Sequence, residues 1–421
     1  MLKVKHLATE ESKLKNGATL LYTPISTAPR LAFSMFLPGG NVLDRIPGLS
    51  DVVDRLLMKG TDSRTQEQIS IEIDGLTLEV DTDTKRDYTA IHATMLEEDL
   101  DASFELISDF FYNATFAEFE REKQKIAGEV MMDLDSPKSR ASDQFIRRMF
   151  QDTSYGTVGS VIFDQLEKMD SVETLKAHYH GVFNPKNLIV SVAGNIKADK
   201  VSRVVEQYFP ADGRVVETVP PDVANYLRNL HLPSNDVVTF ARDDSSQAHI
   251  FKGWLMPDTK HEDYAAMALL NTILGAAGLS SRLFLELRDK QGLAYNVRST
   301  YETYRYKGIF YLYIGTEPKN KEKCLKGFIQ EVDKLINIPV GDKELADSKR
   351  NMLGRRSVFL ETAHQQANYI GANYTLGRTL EEIEQVPARI EAVTSADIQR
   401  VAQKYLTQPS VISVVGPSKI L

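Results

Sequence analysis

Apolar positions recur at helical spacing between Gly48 and Lys59. Leu49, Val52, Val53, Leu56 and Leu57 fall at i, i+3, i+4, i+7 and i+8, a stripe that predicts a helix with one buried face. Upstream the pattern alternates instead. Ala18–Tyr22 and Leu31–Leu37 read as strands, and Pro38-Gly39-Gly40 ends the second. A second helix is expected near Thr65–Ile73, then strands over Leu76–Asp81 and Asp87–Met95. Leu100–Asp133 is mostly helical, with a break near Asn113–Thr115. Leu188–Gly194, LIVSVAG, is a strand of the fully buried kind.

The second half repeats this grammar. Val237–Phe240 and His249–Leu255 are strand-like, and a long helix is expected from about Tyr264. Tyr295–Thr316 reads as two strands around Lys307-Gly308, with Tyr301, Tyr304, Tyr306, Tyr311 and Tyr313 as cross-strand pairs. Val190-Ser191-Val192-Ala193-Gly194 resembles Ile412-Ser413-Val414-Val415-Gly416 near the end of the chain. Each follows a helix opened by a hydroxyl or Asp cap, at Asp170-Ser171 and at Thr394-Ser395. The spacing is too long for a solenoid and predicts a duplicated domain joined through Ala211–Asn235. Strands interspersed with helices and hairpin-like pairs favour an α+β fold over a doubly wound sheet.

Composition narrows the function classes. The chain has 421 residues, enough for two domains. Acidic residues outnumber basic ones 58 to 50, for a net charge of −8. That balance argues against nucleic acid as a partner and favours basic peptides mildly. Cys324 is the single cysteine, so no intrachain disulfide and no thiolate cluster can form. The first residues carry charge but no apolar core of a signal peptide, and no apolar run of about 18 residues occurs. The expectation is a cytoplasmic protein with no membrane partner.

On the predicted first helix, Asp51, Asp54 and Arg55 share the face opposite the apolar stripe, and Lys59-Gly60-Thr61 follows. This stretch resembles the zinc helix of the inverzincin metallopeptidases, the pitrilysin and insulinase group, whose H-x-x-E-H supplies two metal ligands and a general base. Laid on this chain, the motif falls on Asp51-Val52-Val53-Asp54-Arg55, and all three functional positions differ. The family places a third ligand, a Glu, roughly 75 residues past the second His. Glu129, in EREKQKIAGEV, matches that position, and Glu122 matches a supporting acidic residue of the family. The stretch LGAAGLSSRLFLELRDKQGLAYNV (Leu274–Val297), Asn184-Pro185-Lys186-Asn187 and the final VVGP are also similar to the family, so the resemblance covers nearly the whole chain.

The resemblance implies two homologous domains, 1–211 and 236–421. Each is an antiparallel sheet covered on one side by helices, as in the processing peptidases and LuxS-type metallopeptidases. It also implies a clamshell made by two such chains around a peptide. Asp51, Asp54, Arg55 and Glu129 then mark a degenerate zinc motif with Glu122 as a remnant, and a guanidinium cannot ligate. We expect Asp51 to pair with Arg55 at i, i+4, joined by Asp54 and Glu129. This chain is expected to hold no metal, cofactor or catalytic residue of its own; zinc is expected in a partner. The family's substrate-binding edge strand falls on Gly75–Thr82, where its Asn-Ala pair is replaced by Glu79-Val80.

Arg288 and Tyr295, seven residues apart, match the family pair that contacts substrate across the chamber. A phenol can donate to an oxyanion, and a guanidinium can fork onto carbonyls. Gly275–Phe284 lacks the Lys-Ser/Thr of a phosphate loop. None of His6, His92, His178, His180, His231, His249, His261 and His364 restores the metal motif; His178 and His180 read as helix-end residues. The expected function is the non-catalytic, substrate-orienting subunit of a bacterial-type heterodimeric zinc metallopeptidase. Its partners would be a homologous H-x-x-E-H chain and unfolded peptides. The alternative is a structural or peptide-binding protein with no part in proteolysis.

Overall fold

A computed structural model describes residues 7–151 and 153–421; His6 lies outside the described residues. The buried run Leu31–Pro38 forms β3 at the centre of a six-stranded sheet. Around it lie β1 (Glu10–Lys13), β2 (Thr19–Pro24), β4 (Glu79–Thr84), β5 (Tyr88–Met95) and β6 (Ile189–Gly194), in the order β1-β2-β6-β3-β5-β4. The second sheet holds β7 (Asp236–Ala241), β8 (Ala248–Met256), β9 (Ala294–Thr303), β10 (Gly308–Thr316) and β11 (Val411–Gly416), in the order β7-β11-β8-β10-β9. Without β1 the two orders are the same, which is the duplication seen in the sequence. Pairing is antiparallel with one exception per sheet: β2 runs parallel to β6, and β7 to β11. Leaving β1 aside, in each half the first strand meets the last, and only a crossover through the whole half can join them.

The first half also carries helices, among them α1 (Leu49–Leu56), α2 (Gln66–Gly75), α3 (Leu100–Asn113), α4 (Phe119–Asp135) and α5 (Pro137–Phe150). The α1 stripe is buried as expected, through Leu49, Val52, Val53 and Leu56. The helix stops earlier than expected, because the chain turns at Leu57 and reaches Gly60 at φ 142°. Strand β4 starts later than expected, since Thr77 adopts φ 48° after α2. The long helix expected from Tyr264 is α-helical only to Asn271. It then widens into a π-type turn over Thr272–Ala276, where Gly275 lies against the Ser299 backbone.

Helices do not cover one side alone. Each sheet has a second buried face, and the helix on it comes from the other half. Helix α5 crosses onto β8 and β11, where Phe145 stacks on Phe251 at 5.6 Å and Ser413 donates to the Ala141 carbonyl at 2.8 Å. The helix Ala363–Thr375 crosses onto β3 and β6 of the first sheet. The repeated serines, Ser191 and Ser413, therefore mark the strand faces on which the crossing helices lie.

At the first crossing Gly371 admits no side chain: an added Cβ would stand 2.2 Å from Phe36 Cε2 and 2.8 Å from Ser191 Cβ. Gly371→Ala is expected to lower stability by about 2 kcal/mol through overpacking. Gly128→Ala, in mid-helix with open space around it, should raise stability by up to about 1 kcal/mol. Thermal denaturation of the two variants checks the pair; equal shifts would mean that the helix is not pressed onto the sheet.

Candidate functional site

The N-terminus of α1 is built by Asp44. Its carboxylate accepts from the backbone N–H of Gly48 at 3.0 Å and of Ser50 at 2.9 Å, and from Ser50 Oγ at 2.5 Å. His178 Nε2 lies 2.8 Å from the same Oγ. Serine, histidine and aspartate meet here, but not as a nucleophile with its base. Ser50 donates to the carboxylate, His178 Nδ1 has no hydrogen-bond partner among the described residues, and all three side chains are buried. Burial pushes Asp44 up to about 7 and His178 down to about 4. The group is a buried cap that fixes where α1 begins; sequence reading left His178 as an ordinary helix-end residue and missed Asp44. His180 sits apart, 3.1 Å from the Arg214 guanidinium.

One turn further, the charged face of α1 meets α4. Arg55 Nη1 lies 2.6 Å from Glu129 Oε2 and 3.7 Å from Glu122 Oε1. Lys125 Nζ stands 3.6 Å from Glu122 and 3.7 Å from Glu129. The Arg55 hydrogen bond holds Glu129 below its ordinary range. The expected Asp51–Arg55 pair is not formed. Asn41 Nδ2 donates instead to Asp51 Oδ2 at 2.6 Å, and Arg55 turns outward to α4. Local helical spacing permits the i, i+4 pair, but Glu129 offers Arg55 a more exposed and less costly partner than half-buried Asp51. Burial raises Asp51, against the Asn41 hydrogen bond and the charge of Arg55.

Asp54 is the weak point of this face. Burial pushes it up to about 7, against a hydrogen bond from Thr82 and aided by Asp51, Asp83 and Asp81; its Oδ1 has no hydrogen-bond partner among the described residues. A carboxyl raised in the fold lends stability that is complete below about pH 4 and lost as pH climbs through about 7. Asp54→Asn is therefore expected to stabilise the protein by on the order of 2 kcal/mol at pH 8 and to be neutral at pH 4. Urea melts at the two pH values check this; a gain of the same size at both would remove the charge as its cause.

Zinc requires imidazole, thiolate or carboxylate donors within about 2.3 Å. Here the guanidinium of Arg55 occupies the space between α1 and Glu129. Among the described residues, no three His, Cys, Asp or Glu side chains converge so as to hold a metal ion. The donor set at this position does not fit zinc.

Strand β4 flanks α1 and is the free edge of its sheet. Val80 packs toward the helix-side core, and Glu79 points to the opposite face, paired with Arg30 at 2.6 Å. In the second half, Arg288 lies on a π-type turn, Phe284–Lys290, and Tyr295 at the start of β9. The Arg288 guanidinium stands 4.8 Å from the Tyr295 ring and 4.6 Å from that of Phe284. Tyr295 is 83% exposed. Thus the structure brings Arg55, Glu122 and Glu129 together on one side and Arg288 and Tyr295 on another. No membrane-length apolar helix occurs among the described residues.

The fold and this site define a two-sheet chain of the metallopeptidase type with an ion pair, Arg55–Glu129, between α1 and α4. Residues 40–158 match the family described as Insulinase (Peptidase family M16), and residues 171–352 match the Peptidase M16 inactive domain. The chain belongs to the M16 peptidase family. An uncharacterized zinc protease of Streptomyces coelicolor is 29% identical over 88% of this chain and 81% of its own length. One of Bacillus subtilis is 25% identical over 96% and 97%. The fold is shared with a peptidase M16 inactive domain from Pseudomonas fluorescens: TM-score 0.86, 20% identity, 98% of this chain and 99% of that one. It is also shared with a protease from Helicobacter pylori: TM-score 0.87, 21% identity, 98% and 100%.

Proposed function

We propose that this M16 chain is the non-catalytic subunit of a heterodimeric zinc metallopeptidase, in which it orients peptide for a partner that carries H-x-x-E-H. The observation that carries the reading is the Arg55–Glu129 contact at 2.6 Å, a cation held where the family's metal-binding face lies. The second support is the pair of half-buried Arg288 and exposed Tyr295, whose side chains make no ion pair or hydrogen bond among the described residues. A folded chain has no need of an uncovered tyrosine beside a guanidinium, whereas a donor meant for a substrate must be uncovered.

In this reading the chain's own residues bind and position. The Arg288 guanidinium, half-buried against two rings, forks onto peptide carbonyls. The Tyr295 hydroxyl donates to the oxygen that gains charge when a peptide carbonyl becomes tetrahedral. The test is reconstitution. Mixed with its H-x-x-E-H partner, the chain should form a complex of one copy each by size and raise cleavage of an unstructured peptide above that of the partner alone. Assembly without any gain in cleavage would remove the substrate-orienting role.

A further inference from the structure

Two strands that match in the duplication differ at their outer edge. In the first sheet β2 runs parallel to β6 and carries β1 on its other side, with Lys13 opposite Thr19 and Glu10 opposite Tyr22. In the second sheet β7 holds the same place beside β11, but among the described residues no strand lies on its other side. Thr19 and Asp236 open the two parallel pairings, so the residues that β1 covers correspond to Asp236–Thr239.

The backbone of β7 fixes what the bare edge offers. The N–H of Asp236 donates to the Ser410 carbonyl at 3.0 Å, and that of Arg242, just past the strand, to the Gly416 carbonyl at 2.8 Å. The even-numbered residues between them therefore turn their hydrogen-bonding groups to β11, and the N–H and C=O of Val237, Thr239 and Ala241 face outward. All three of these residues are exposed, Val237 to 60%. On the face toward α5, Val238 stands beside Ser413, and the Phe240 ring lies 4.8 Å from the Arg140 guanidinium, still exposed. An open row of donors and acceptors flanked by apolar side chains is a template for a further strand.

We propose that β7 pairs antiparallel with β7 of a second copy of this chain, about a two-fold axis at Thr239, so that the two second sheets become one. In that register the edge is complementary to itself. Thr239 meets Thr239 of the copy and Val237 meets Ala241, and in both pairs the outward groups exchange hydrogen bonds. On the α5 face, Val238 meets Phe240 and Asp236 meets Arg242, in the closer pairs that share no backbone bond. Asp236 keeps Arg148 at 2.8 Å, and Arg242 keeps Asp244 at 2.9 Å and Asp135 at 3.4 Å, so the new contact links existing ion pairs. A shift by two residues either way sets Asp236 against Phe240 or Asp244 and loses the charge match. A two-fold contact of one edge with itself is closed, so it yields a dimer and not a fibre. It uses none of Arg55, Glu129, Arg288 and Tyr295 and stands apart from the peptidase reading. One strand pair buries little surface, so the dimer is weak, and a complex assembled at low concentration still holds one copy of each chain.

The test uses the full chain alone, by sedimentation from about 1 to about 100 μM, where the weight-average mass is expected to rise from 47.3 kDa toward twice that value. Val237→Lys places a charge on the outward edge at an exposed position, and should weaken association by at least about tenfold with Tm unchanged. Register is read by disulfide trapping, for which Cys324, the single native cysteine, is buried and silent. Thr239→Cys should give a covalent dimer in mild oxidant, since directly opposed residues have Cα atoms about 5.5 Å apart, within reach of a disulfide. Ala241→Cys should not, because the two copies of that residue lie about 14 Å apart along the paired strands. The proposal is refuted by a mass of 47.3 kDa at every concentration, or by association that Val237→Lys leaves unchanged. It is refuted equally if Thr239→Cys gives no covalent dimer, or if Ala241→Cys cross-links as fast.

Discussion

The chain carrying Asp51→His, Asp54→Glu and Arg55→His is expected to bind about one zinc ion, and the native chain is expected to bind none. Residues 51 and 55 lie one turn apart on the face of α1 that meets α4, and the Arg55–Glu129 contact shows that a side chain from position 55 reaches that carboxylate. Two imidazoles from α1 and Glu129 from α4 would complete a three-ligand set with one position open. Glu122, buried beside Arg55, would then stand behind the ligands and steady them. Removing Arg55 leaves Glu122 and Glu129 with only Lys125 for a cation among the described residues, so the metal-free variant should be less stable than the native chain. Zinc at roughly 100 times its Kd should restore about 2.7 kcal/mol. Metal analysis after dialysis and a zinc titration of Tm check both parts. A triple variant whose Tm ignores zinc would show that the two helices do not converge as ligands. Adding Glu129→Gln should abolish the zinc response, which assigns the third ligand.

What the sequence made legible and what it hid divide along chain distance. The α1 stripe is local, and its buried face follows directly from the spacing of Leu49, Val52, Val53 and Leu56. The duplication is local too, since VSVAG and ISVVG each sit in one strand. Strand β1 escaped notice because its four residues, EESK, are all exposed and carry no apolar signal. The exchange of helices between halves was hidden for another reason. Helix α5 has an apolar face like any other, and nothing in its periodicity says which sheet it covers.

The site shows the same division. The positions of Asp51, Asp54 and Arg55 on one helical face were readable, but their partners were not. Asn41 comes from a short 3₁₀ turn, Gly40–Leu43, and Glu129 from a helix 74 residues on, and both displace the i, i+4 pair that spacing suggests. The Asp44 cap was missed although Asp and Ser are common in such roles, because Gly48 at φ 90° bends the chain between them.

A reconstituted complex in which Tyr295 of this chain is phenylalanine is expected to cleave an unstructured peptide on the order of 100-fold more slowly than the native complex, with KM little changed. The substitution removes one hydroxyl. That hydroxyl makes no hydrogen bond among the described residues, and the side chain is 83% exposed, so the fold loses nothing that Tm would report. The ring stays, and with it the contact of 4.8 Å that positions Arg288. A donor that matters only when the carbonyl oxygen gains charge lowers kcat without weakening the bound ground state. Arg288→Ala should behave differently. The guanidinium is held between two rings and meets carbonyls already present in the free peptide, so its loss should act mainly on KM, by roughly tenfold. The split between the two variants separates a shared active site from a passive scaffold. Complexes of native size in which both variants cleave as fast as the native chain would leave this subunit with an architectural role alone.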